Sequence, residues 1–233
     1  TQPIIPVYMT TNWQGSGHAY KVGEYGGTGI SSRLGSTPNP VADLIRNAED
    51  RQQDIRIVGS AFFDVKIMKD LEFRSTFGGT FQSGYNTDWN GATYERAENI
   101  ATPSYTESAN FGSDWVWTNQ LTYNKTFGQH KLLAVAGYES VKYGIGRFLS
   151  ATRAGYYSSA FSFRTVANGA QIQNAVSYLG TPTTLVSQFA RADYSFGDKY
   201  LFSATVRRDG SSRFGKDFRY GIFPSFSAGW RLS

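Results

Sequence analysis

Apolar and polar side chains alternate along much of the chain. This pattern predicts β-strands, because successive strand side chains point to opposite faces. In the first such stretch, Ile55 to Ile67, the odd positions carry most of the apolar residues. The even positions include Arg56, Asp64 and Lys66. We therefore expect a strand with one apolar face and one charged face.

The same period of two predicts six further strands, so about seven are expected in all. Their opposite faces carry mostly charged, amide and hydroxyl side chains. A sheet with one apolar and one polar face is typical of a transmembrane β-barrel, in which lipid-facing and lumen-facing side chains alternate. The apolar faces of these six strands carry Leu71, Phe73, Phe77 and Phe81; Trp115, Trp117, Leu121, Tyr123 and Phe127; Leu132, Ala134, Ala136 and Tyr138; Val186, Ala190, Ala192, Tyr194 and Phe196; Tyr200, Phe202, Ala204 and Val206; and Ile222, Phe226, Ala228 and Trp230.

Short and long connections alternate between the predicted strands. Tight turns are predicted at 68–70, 128–130 and 197–199, whereas long Gly-, Ser- and Asn-rich connections span about 85–113 and 144–184. Outer-membrane barrels have short periplasmic turns at one rim and long extracellular loops at the other. A soluble β-sandwich has no reason to sort its connections in this way.

The segment 38–53 interrupts the strands. Pro40 follows Asn39, and apolar residues then recur at helical spacing, which predicts a short capped helix. This helix either packs on neighbouring loops or contacts a substrate or partner. We expect residues 1–53 to form an extracellular loop region with this helix, and residues 54–233 to form barrel strands with short periplasmic turns and long extracellular loops.

Composition narrows the class of protein. The 233 residues are 16% aromatic and contain no run of eighteen apolar residues, so a transmembrane helix is not predicted and a β-barrel is the other way to span lipid. The net charge of +5 is scattered along the chain, and we expect no nucleic-acid binding. The chain has no cysteine, which excludes disulfides and thiolate metal sites.

The N-terminal residues 1–6 carry no initiating Met and no signal-peptide pattern, so we expect a mature, trimmed or partial chain. Energetics also favours a partial chain. An open sheet in lipid leaves two unpaired edges, at a cost on the order of tens of kcal/mol. Bacterial single-chain barrels have even strand numbers, whereas about seven strands are predicted here. We expect these strands to form roughly a third of a larger barrel.

Candidate catalytic chemistry is sparse. His18 and His130 have no Cys, Asp or Glu at metal-ligand spacing. The glycine-rich segment Gly23 to Gly29 is not followed by the Lys and Ser or Thr of a phosphate-binding loop, and is expected to be flexible. No Ser, His and Asp arrangement is compelling. We expect neither a cofactor nor a metal, and no enzyme activity.

The last thirty residues carry the most specific sequence pattern. From Ala204 to Ser233 they predict a strand to Arg208, a polar turn over 209–215 and a second strand over 219–232. This block closely resembles the signature hairpin of SusC/RagA-type TonB-dependent transporters of the Gram-negative outer membrane. Leu121 to Leu133 resembles another hairpin of the family, and Asn39 to Ala42 resembles its N-P-V-A segment. The family signature comprises Arg207, Arg208, Asp209, Gly210, Ser211, Ser212, Arg213, Phe214 and Gly215.

The resemblance implies an antiparallel barrel of twenty-two strands in the complete protein. It also implies import of oligosaccharides or peptides, energised through TonB, with a SusD-like surface lipoprotein as a lid partner. The plug, the segment that contacts TonB and the remaining strands would lie outside this chain. Membrane lipid would surround the barrel.

Two sets of side chains are candidate functional residues. Charges on the polar face are expected to face the lumen, as cross-strand ion pairs that hold the plug or as a path for a hydrophilic solute. Aromatic residues in the loops could stack on sugar rings or simply pack the loops. The lumen-facing set is Arg56, Asp64, Lys66, Glu72, Arg74, Arg191, Asp193 and Arg207. The loop set is Trp13, Tyr20, Tyr25, Trp89, Tyr94 and Tyr105.

Arg208 has the opposite parity to Arg207 and shares a face with Val206. We expect it where its strand leaves the membrane. Its guanidinium there either reaches lipid phosphates or is simply solvated.

Three classes of protein remain open at this stage. The first is a segment of a transporter barrel. The second is a glycan-binding surface β-domain without transport, which the sorted connections disfavour. The third is a small self-contained barrel enzyme or pore, which the odd strand count and the missing site chemistry disfavour.

Overall fold

The computed structural model describes residues 5–31 and 33–232. Within these residues it contains ten β-strands, one α-helix and four single-turn 3₁₀ helices. The strands are β1 (Trp13–Gln14), β2 (Ala19–Tyr20), β3 (Arg51–Met68), β4 (Leu71–Asn90), β5 (Ser104–Phe127), β6 (His130–Ala154), β7 (Gln171–Leu179), β8 (Thr183–Phe196), β9 (Tyr200–Ser211) and β10 (Tyr220–Trp230). Helix α1 is Pro40–Arg46, and the 3₁₀ helices are Thr28–Ile30, Phe161–Phe163, Val166–Asn168 and Lys216–Phe218.

Eight of the described strands form one sheet, in the order β10-β9-β8-β6-β5-β4-β3, with β7 also pairing with β6. The pairs β6–β8, β8–β9 and β9–β10 are antiparallel. The predicted all-β antiparallel fold is confirmed. The sheet has one strand more than the seven counted from sequence, because β7 lies within the stretch 144–184 that was interpreted as a loop.

The three tight turns lie where they were predicted. Strands β5 and β6 are joined at Gly128, and β8 and β9 at Gly197 and Asp198. These residues have φ of 60°, 57° and 54°, the left-handed region that is common in tight hairpin turns of two or three residues. Glycine adopts it without a steric penalty.

The strands are longer than the alternation indicated. Strands β4, β5 and β6 contain 20, 24 and 25 residues, whereas about 9 to 11 residues are enough for a strand to cross a bilayer. The predicted loops at 85–113 and 144–184 are correspondingly shorter. Backbone pairing continues beyond the stretch in which the sequence alternates, because strand pairing rests on backbone hydrogen bonds and does not require an apolar face.

The chain folds into two compact units, each built from three segments. The loop unit comprises the described residues up to Asp54, together with Gly84–Asn110 and Phe148–Tyr178. The strand unit comprises Ile55–Ser83, Phe111–Arg147 and the described residues from Leu179 onward. The division predicted between residues 53 and 54 stays a prediction.

Strand register in the strand unit separates two faces. Ala134, Ala192, Ala204 and Phe226 are direct cross-strand partners and occupy one face. Five positions further along β6, Glu139 lies on the opposite face, in a row with Ser187 and Asp209. The alternation read from the sequence therefore matches the pairing of the backbone.

No helix among residues 5–31 and 33–232 is both long and apolar enough to cross a membrane.

Side chains on the polar face pack tightly around Gly137. It lies opposite Phe189 on β8, which in turn pairs with Arg207 on β9. A Cβ at Gly137 would overlap the Phe189 ring, while the Arg207 guanidinium carbon lies 5.8 Å from the centre of the same ring. Glycine is therefore required here so that the phenyl ring can lie against the backbone.

We expect Gly137→Ala to lower the stability of the folded barrel by about 1 to 3 kcal/mol, because the ring must move. The measurement is the temperature at which the full-length protein loses its compact electrophoretic mobility in SDS. Gly59→Ala is the matched control, since nothing lies within 4 Å of a Cβ at that strand glycine. Equal midpoints for the two variants would contradict the packing role.

Candidate functional site

The polar face of the strand unit is lined by ion pairs between close neighbours. Arg74 donates two hydrogen bonds to Asp64, at 2.6 and 2.8 Å. Arg191 donates two to Asp193 on the same strand, at 2.7 and 2.9 Å. These four residues belong to the predicted lumen-facing set, and they are largely or partly exposed. Paired charges of this kind remain hydrated and still present hydrogen-bonding groups to a polar solute.

Arg207 is the centre of a larger network on this face. Its Nε donates to Asp209 at 2.7 Å, and its Nη2 donates to Ser187 at 2.9 Å and to Glu139 at 3.4 Å. Thr118 donates to the other oxygen of Glu139 at 3.1 Å. The network links β5, β6, β8 and β9, so that one guanidinium ties together side chains from four strands.

The remaining members of the predicted lumen-facing set lie at the β3–β4 end of the sheet. Arg56 and Lys66 are exposed on β3, and Glu72 is half-buried on β4. Their orientation toward a lumen stays a prediction.

The signature hairpin differs from its predicted form in one respect. Asp209, Gly210 and Ser211 were expected in a turn, but they continue β9 and pair with β8. Arg207 and Ser187 hold Asp209 in the strand, and the ring of Tyr220 occupies the space over Gly210 that a Cβ would need. The turn begins at Ser212, whose hydroxyl accepts a hydrogen bond from the Thr184 backbone at 2.9 Å. Tertiary contacts therefore outweigh the turn preference of Asp-Gly.

Other signature side chains fix the turn itself. The Ser211 hydroxyl accepts from the Arg213 backbone at 3.2 Å. The Arg213 side chain donates to Thr183 at 3.3 Å and lies 5.6 Å from the centre of the Tyr143 ring. Phe214 is exposed. This part of the signature thus stabilises the hairpin and binds it to β6 and β8.

Asn39 organises the loop unit and is almost completely buried. Its Oδ1 accepts from the backbone of Val41 at 3.0 Å and of Ala42 at 3.2 Å, which caps α1. Its Nδ2 donates to the carbonyls of Val7 at 2.9 Å and Gly26 at 2.6 Å. The capped helix predicted from sequence is confirmed, and the cap residue also joins two other backbone segments to the helix.

A buried ion pair lies at the other end of α1. Arg46 donates two hydrogen bonds to Glu95, at 2.5 and 3.0 Å, and the Glu95 side chain has no exposed surface. The guanidinium carbon lies between the rings of Tyr25 and Tyr94, at 5.7 and 5.8 Å from their centres. Sequence reasoning missed this pair, because 49 residues separate its members and no local pattern links them.

The pKa values around this pair follow from burial and charge. Burial by itself raises the pKa of Glu95, but hydrogen bonds from Arg46 and the Tyr94 backbone outweigh it and hold the pKa below its ordinary range. Burial lowers the pKa of Arg46, and Glu95 more than restores it, so that the net direction is upward. Burial, followed by the charge of Glu95, raises the pKa of Tyr20 to about 12. The pair is therefore charged at neutral pH.

The six aromatics predicted to lie in loops divide by exposure. Four of them lie in strands instead, because backbone pairing extends further than the alternation indicated: Trp13 in β1, Tyr20 in β2, Trp89 in β4 and Tyr105 in β5. Tyr20, Trp89 and Tyr105 are buried, and Tyr25 and Tyr94 are half-buried around Arg46. Only Trp13 of this set is largely exposed, at 55%. Its Nε1 donates to the Ile30 carbonyl at 3.0 Å, which fixes the indole in place. Burial favours a packing role for the first three, while substrate contact stays a prediction for the set.

Trp89 and Tyr105 form a second core in the loop unit together with Tyr156. The Trp89 and Tyr156 rings meet edge to face with 5.2 Å between their centres. The guanidinium of Arg164 lies 4.7 Å from the centre of the Trp89 ring. The loop unit is thus held by two aromatic and cationic clusters.

The described residues contain no group of three or more His, Asp or Glu side chains that could hold a metal ion. His18 Nε2 donates a hydrogen bond to the Glu24 carboxylate at 2.9 Å, and His130 Nδ1 contacts the Tyr194 hydroxyl at 2.6 Å. Both histidines are therefore engaged in local packing.

A comparison with models of known protein families found no match. Individual curated proteins do match. The chain is 32% identical over 208 residues to TonB-dependent receptor P3 of Formosa agariphila, covering 88% of this chain and 20% of that protein. It is 28% identical over 218 residues to TonB-dependent receptor SusC of Bacteroides thetaiotaomicron, covering 87% and 19%. The chain thus spans about a fifth of the length of the curated relatives it matches.

Solved structures give the same picture for the fold. The RagAB peptide importer in its closed-closed state matches with a TM-score of 0.74 at 17% identity, covering 96% of this chain and 26% of that chain. Its open-open state matches with a TM-score of 0.69 at 19% identity, covering 78% and 20%. The fold is therefore that of a segment of a large antiparallel β-barrel. Together with the sequence similarity, this identifies the chain as a segment of a SusC/RagA-type TonB-dependent transporter, which confirms the family expected from the sequence. The role of the individual signature residues stays a prediction.

We expect acid to loosen the loop unit through Glu95. Because the pKa of Glu95 is lowered in the folded state, its contribution is fully present above its ordinary value of 4.5 and is lost as the pH falls through the lowered pKa. Glu95→Gln leaves the largely buried Arg46 with only the distant Asp43 as a charged partner, at a cost of about 3 kcal/mol, and removes this pH dependence. Hydrogen exchange of the backbone amides of α1 in the full-length protein measures both effects.

Asp43→Asn is the matched control for this experiment. Asp43 also faces Arg46, but at 4.0 Å and with 41% of its side chain exposed. We expect a much smaller change in exchange than for Glu95→Gln, because Asp43 is a partly exposed charge in the first turn of α1 and contributes about 0.3 to 1 kcal/mol. If the Asp43 and Glu95 variants changed exchange equally, the ion pair between Arg46 and Glu95 would not be the main interaction that stabilises α1 in the loop unit.

Proposed function

We propose that this chain is part of a closed outer-membrane barrel that takes up oligosaccharides or peptides with energy delivered through TonB. The observation that carries the proposal is the sequence similarity to TonB-dependent receptors over 88% of the chain. The matched curated proteins are named as receptors, and the matched solved structure is a peptide importer. These names support the expectation that the complete protein is not an enzyme. No cofactor is proposed.

The two faces of the strand unit support a membrane location. Phe226, Ile222 and Phe202 are 80%, 66% and 52% exposed on the apolar face. Contiguous apolar surface of this kind is rarely left in water. In a lipid bilayer the same side chains would be favourably surrounded, and the ion pairs of the opposite face would line a wet interior. We therefore propose the outer membrane of a Gram-negative bacterium as the location.

The edges of the sheet support closure by further strands. Strands β3 and β10 lie at the two ends of the strand order, and every residue of β3 is exposed. In lipid, an edge with unpaired N–H and C=O groups would cost several kcal/mol per group. We propose that strands of the complete protein pair with both edges and close the barrel.

Partners follow from the same proposal. A SusD-like surface lipoprotein would cover the extracellular side, and TonB would act through parts of the protein outside this chain. The solved RagAB structures concern a peptide importer, while the relative from Bacteroides thetaiotaomicron is named SusC. Trp13, exposed and fixed by its hydrogen bond to Ile30, supports the oligosaccharide alternative, because an accessible aromatic face can stack on a sugar ring.

The test is uptake by cells that carry the native full-length protein. We expect labelled oligosaccharide or peptide to enter wild-type cells and not cells lacking TonB. Trp13→Ala should lower oligosaccharide uptake by about fivefold or more, because loss of one stacking contact costs about 1 kcal/mol. Tyr157→Ala is the matched control, since Tyr157 is a loop aromatic with 79% exposure.

Three outcomes would contradict parts of the proposal. Uptake that does not depend on TonB would remove the energy source. Equal effects of the Trp13 and Tyr157 variants would remove the stacking role. Glycan binding without any uptake would favour the alternative, a glycan-binding surface β-domain.

A further inference from the structure

The apolar face of the strand unit contains an open trough with a volume of about 540 Å³. Its floor is formed by small side chains that are cross-strand neighbours. Ala134, Ala192 and Ala204 form one row, and Ala136, Ala190 and Val206 form the next. We call this feature the alanine trough.

Bulky side chains flank the alanine trough. Leu121 and Tyr123 line one side and Phe226 lines the other. Because strand side chains stand roughly perpendicular to the sheet, two adjacent rows of methyl groups between larger side chains leave a depression. The lining is almost entirely apolar, which suits a hydrocarbon chain.

Arg208 stands at one end of the alanine trough. It lies two residues beyond Val206 on β9, hence on the same face and about 7 Å further along the strand. Its guanidinium carbon lies 3.9 Å from the centre of the Tyr220 ring. The ring itself lies over Gly210, where a Cβ would overlap it. The cation is thus held in place by stacking.

The charge of Arg208 is not neutralised within the part of the chain that the structure describes. Its Nη1 donates to Gln188, a neutral side chain, at 3.2 Å. Within residues 5–31 and 33–232, Arg208 forms no salt bridge, whereas its neighbour Arg207 contacts both Asp209 and Glu139. Among the described residues, hydrogen bonding engages Nη1 of Arg208 and leaves its other guanidinium donors available to an anion, and a guanidinium fork matches the geometry of a phosphate.

We propose that the alanine trough binds one acyl chain of an anionic outer-membrane lipid whose phosphate contacts Arg208. The apolar trough and the cation at its end complement the two parts of such a lipid. The inference rests on the proposed membrane location of this face. It adds a lipid site to a surface that transport itself would not use.

The experiment measures lipid retention by the full-length protein. The protein is reconstituted in nanodiscs of phosphatidylglycerol and phosphatidylcholine, released into detergent, and analysed by native mass spectrometry. We expect wild type to keep phosphatidylglycerol in preference to phosphatidylcholine. Arg208→Gln should reduce this preference about fivefold, the effect of one basic residue near an anionic lipid. Ala192→Leu should reduce retention of both lipids, because it fills the trough.

Two variants serve as matched controls. Arg219→Gln removes another exposed cation of the same hairpin, whose Nε donates to the Phe214 carbonyl. Ala228→Leu enlarges an alanine of the same face that does not line the trough. Neither should change lipid retention. The Ala192→Leu variant counts as folded if it keeps the compact mobility of wild type in SDS. The result for Arg208→Gln stands independently of whether the Ala192→Leu variant folds.

The possible results separate this inference from the proposed function. Equal retention of the two lipids by wild type would overturn the lipid site, as would equal losses of lipid for Arg208→Gln and Arg219→Gln. If uptake remained normal in either case, the proposed function would still stand. A lipid-free dimer in which the alanine trough is covered would overturn the lipid site, because a second copy of the protein would then occupy the trough. Absence of the wild-type protein from the outer membrane would instead contradict the proposed function, and the lipid site would fail with it.

Discussion

Backbone hydrogen bonding is the constraint on which this structure depends. Hydrocarbon offers no partner for an exposed N–H or C=O group, so each strand proposed to lie in lipid needs a neighbour on both sides. The antiparallel sheet meets this demand between β4 and β9, where neighbouring strands pair along the chain. Tight turns at Gly128 and Gly197 allow consecutive strands to pair directly. The same constraint makes the two end strands the positions where further strands must join.

Side-chain chemistry then follows from the two faces that the pairing creates. On one face lie cross-strand rows of alanine, valine and phenylalanine, with the polar side chains of Gln188 and Arg208 at one end. On the other, Arg207 collects Ser187, Asp209 and Glu139 from three strands. The family signature is therefore two-sided: Arg207 and Asp209 serve the polar face, while Arg208 and Gly210 serve the apolar one. Adjacent signature residues have different roles because strand parity separates them.

Strands and helices could be predicted from the sequence where a local pattern, such as alternation or a helix cap, encodes them. Alternation located most strands of the sheet, and Asn39 followed by Pro40 located the helix. Prediction failed where only tertiary contacts decide. Strand β7 has nine residues, four of them Gln, Asn or Ser, and it lies within a Gly-, Ser- and Asn-rich stretch that was interpreted as loop. Asp209-Gly210 has the composition of a turn but is held in β9. The glycines of the segment 23–29 were expected to be flexible, yet Gly27 is buried against the Glu95 carbonyl. Arg46 and Glu95 themselves carry no sequence signal.

The central claim is that this chain is a segment of a larger barrel in the outer membrane. The most direct measurement is an immunoblot of fractionated cells with an antibody raised against these 233 residues. We expect an outer-membrane band several times larger than a 233-residue protein would give, and this band should migrate faster before heating than after. A band of the size of 233 residues in the soluble fraction would contradict it.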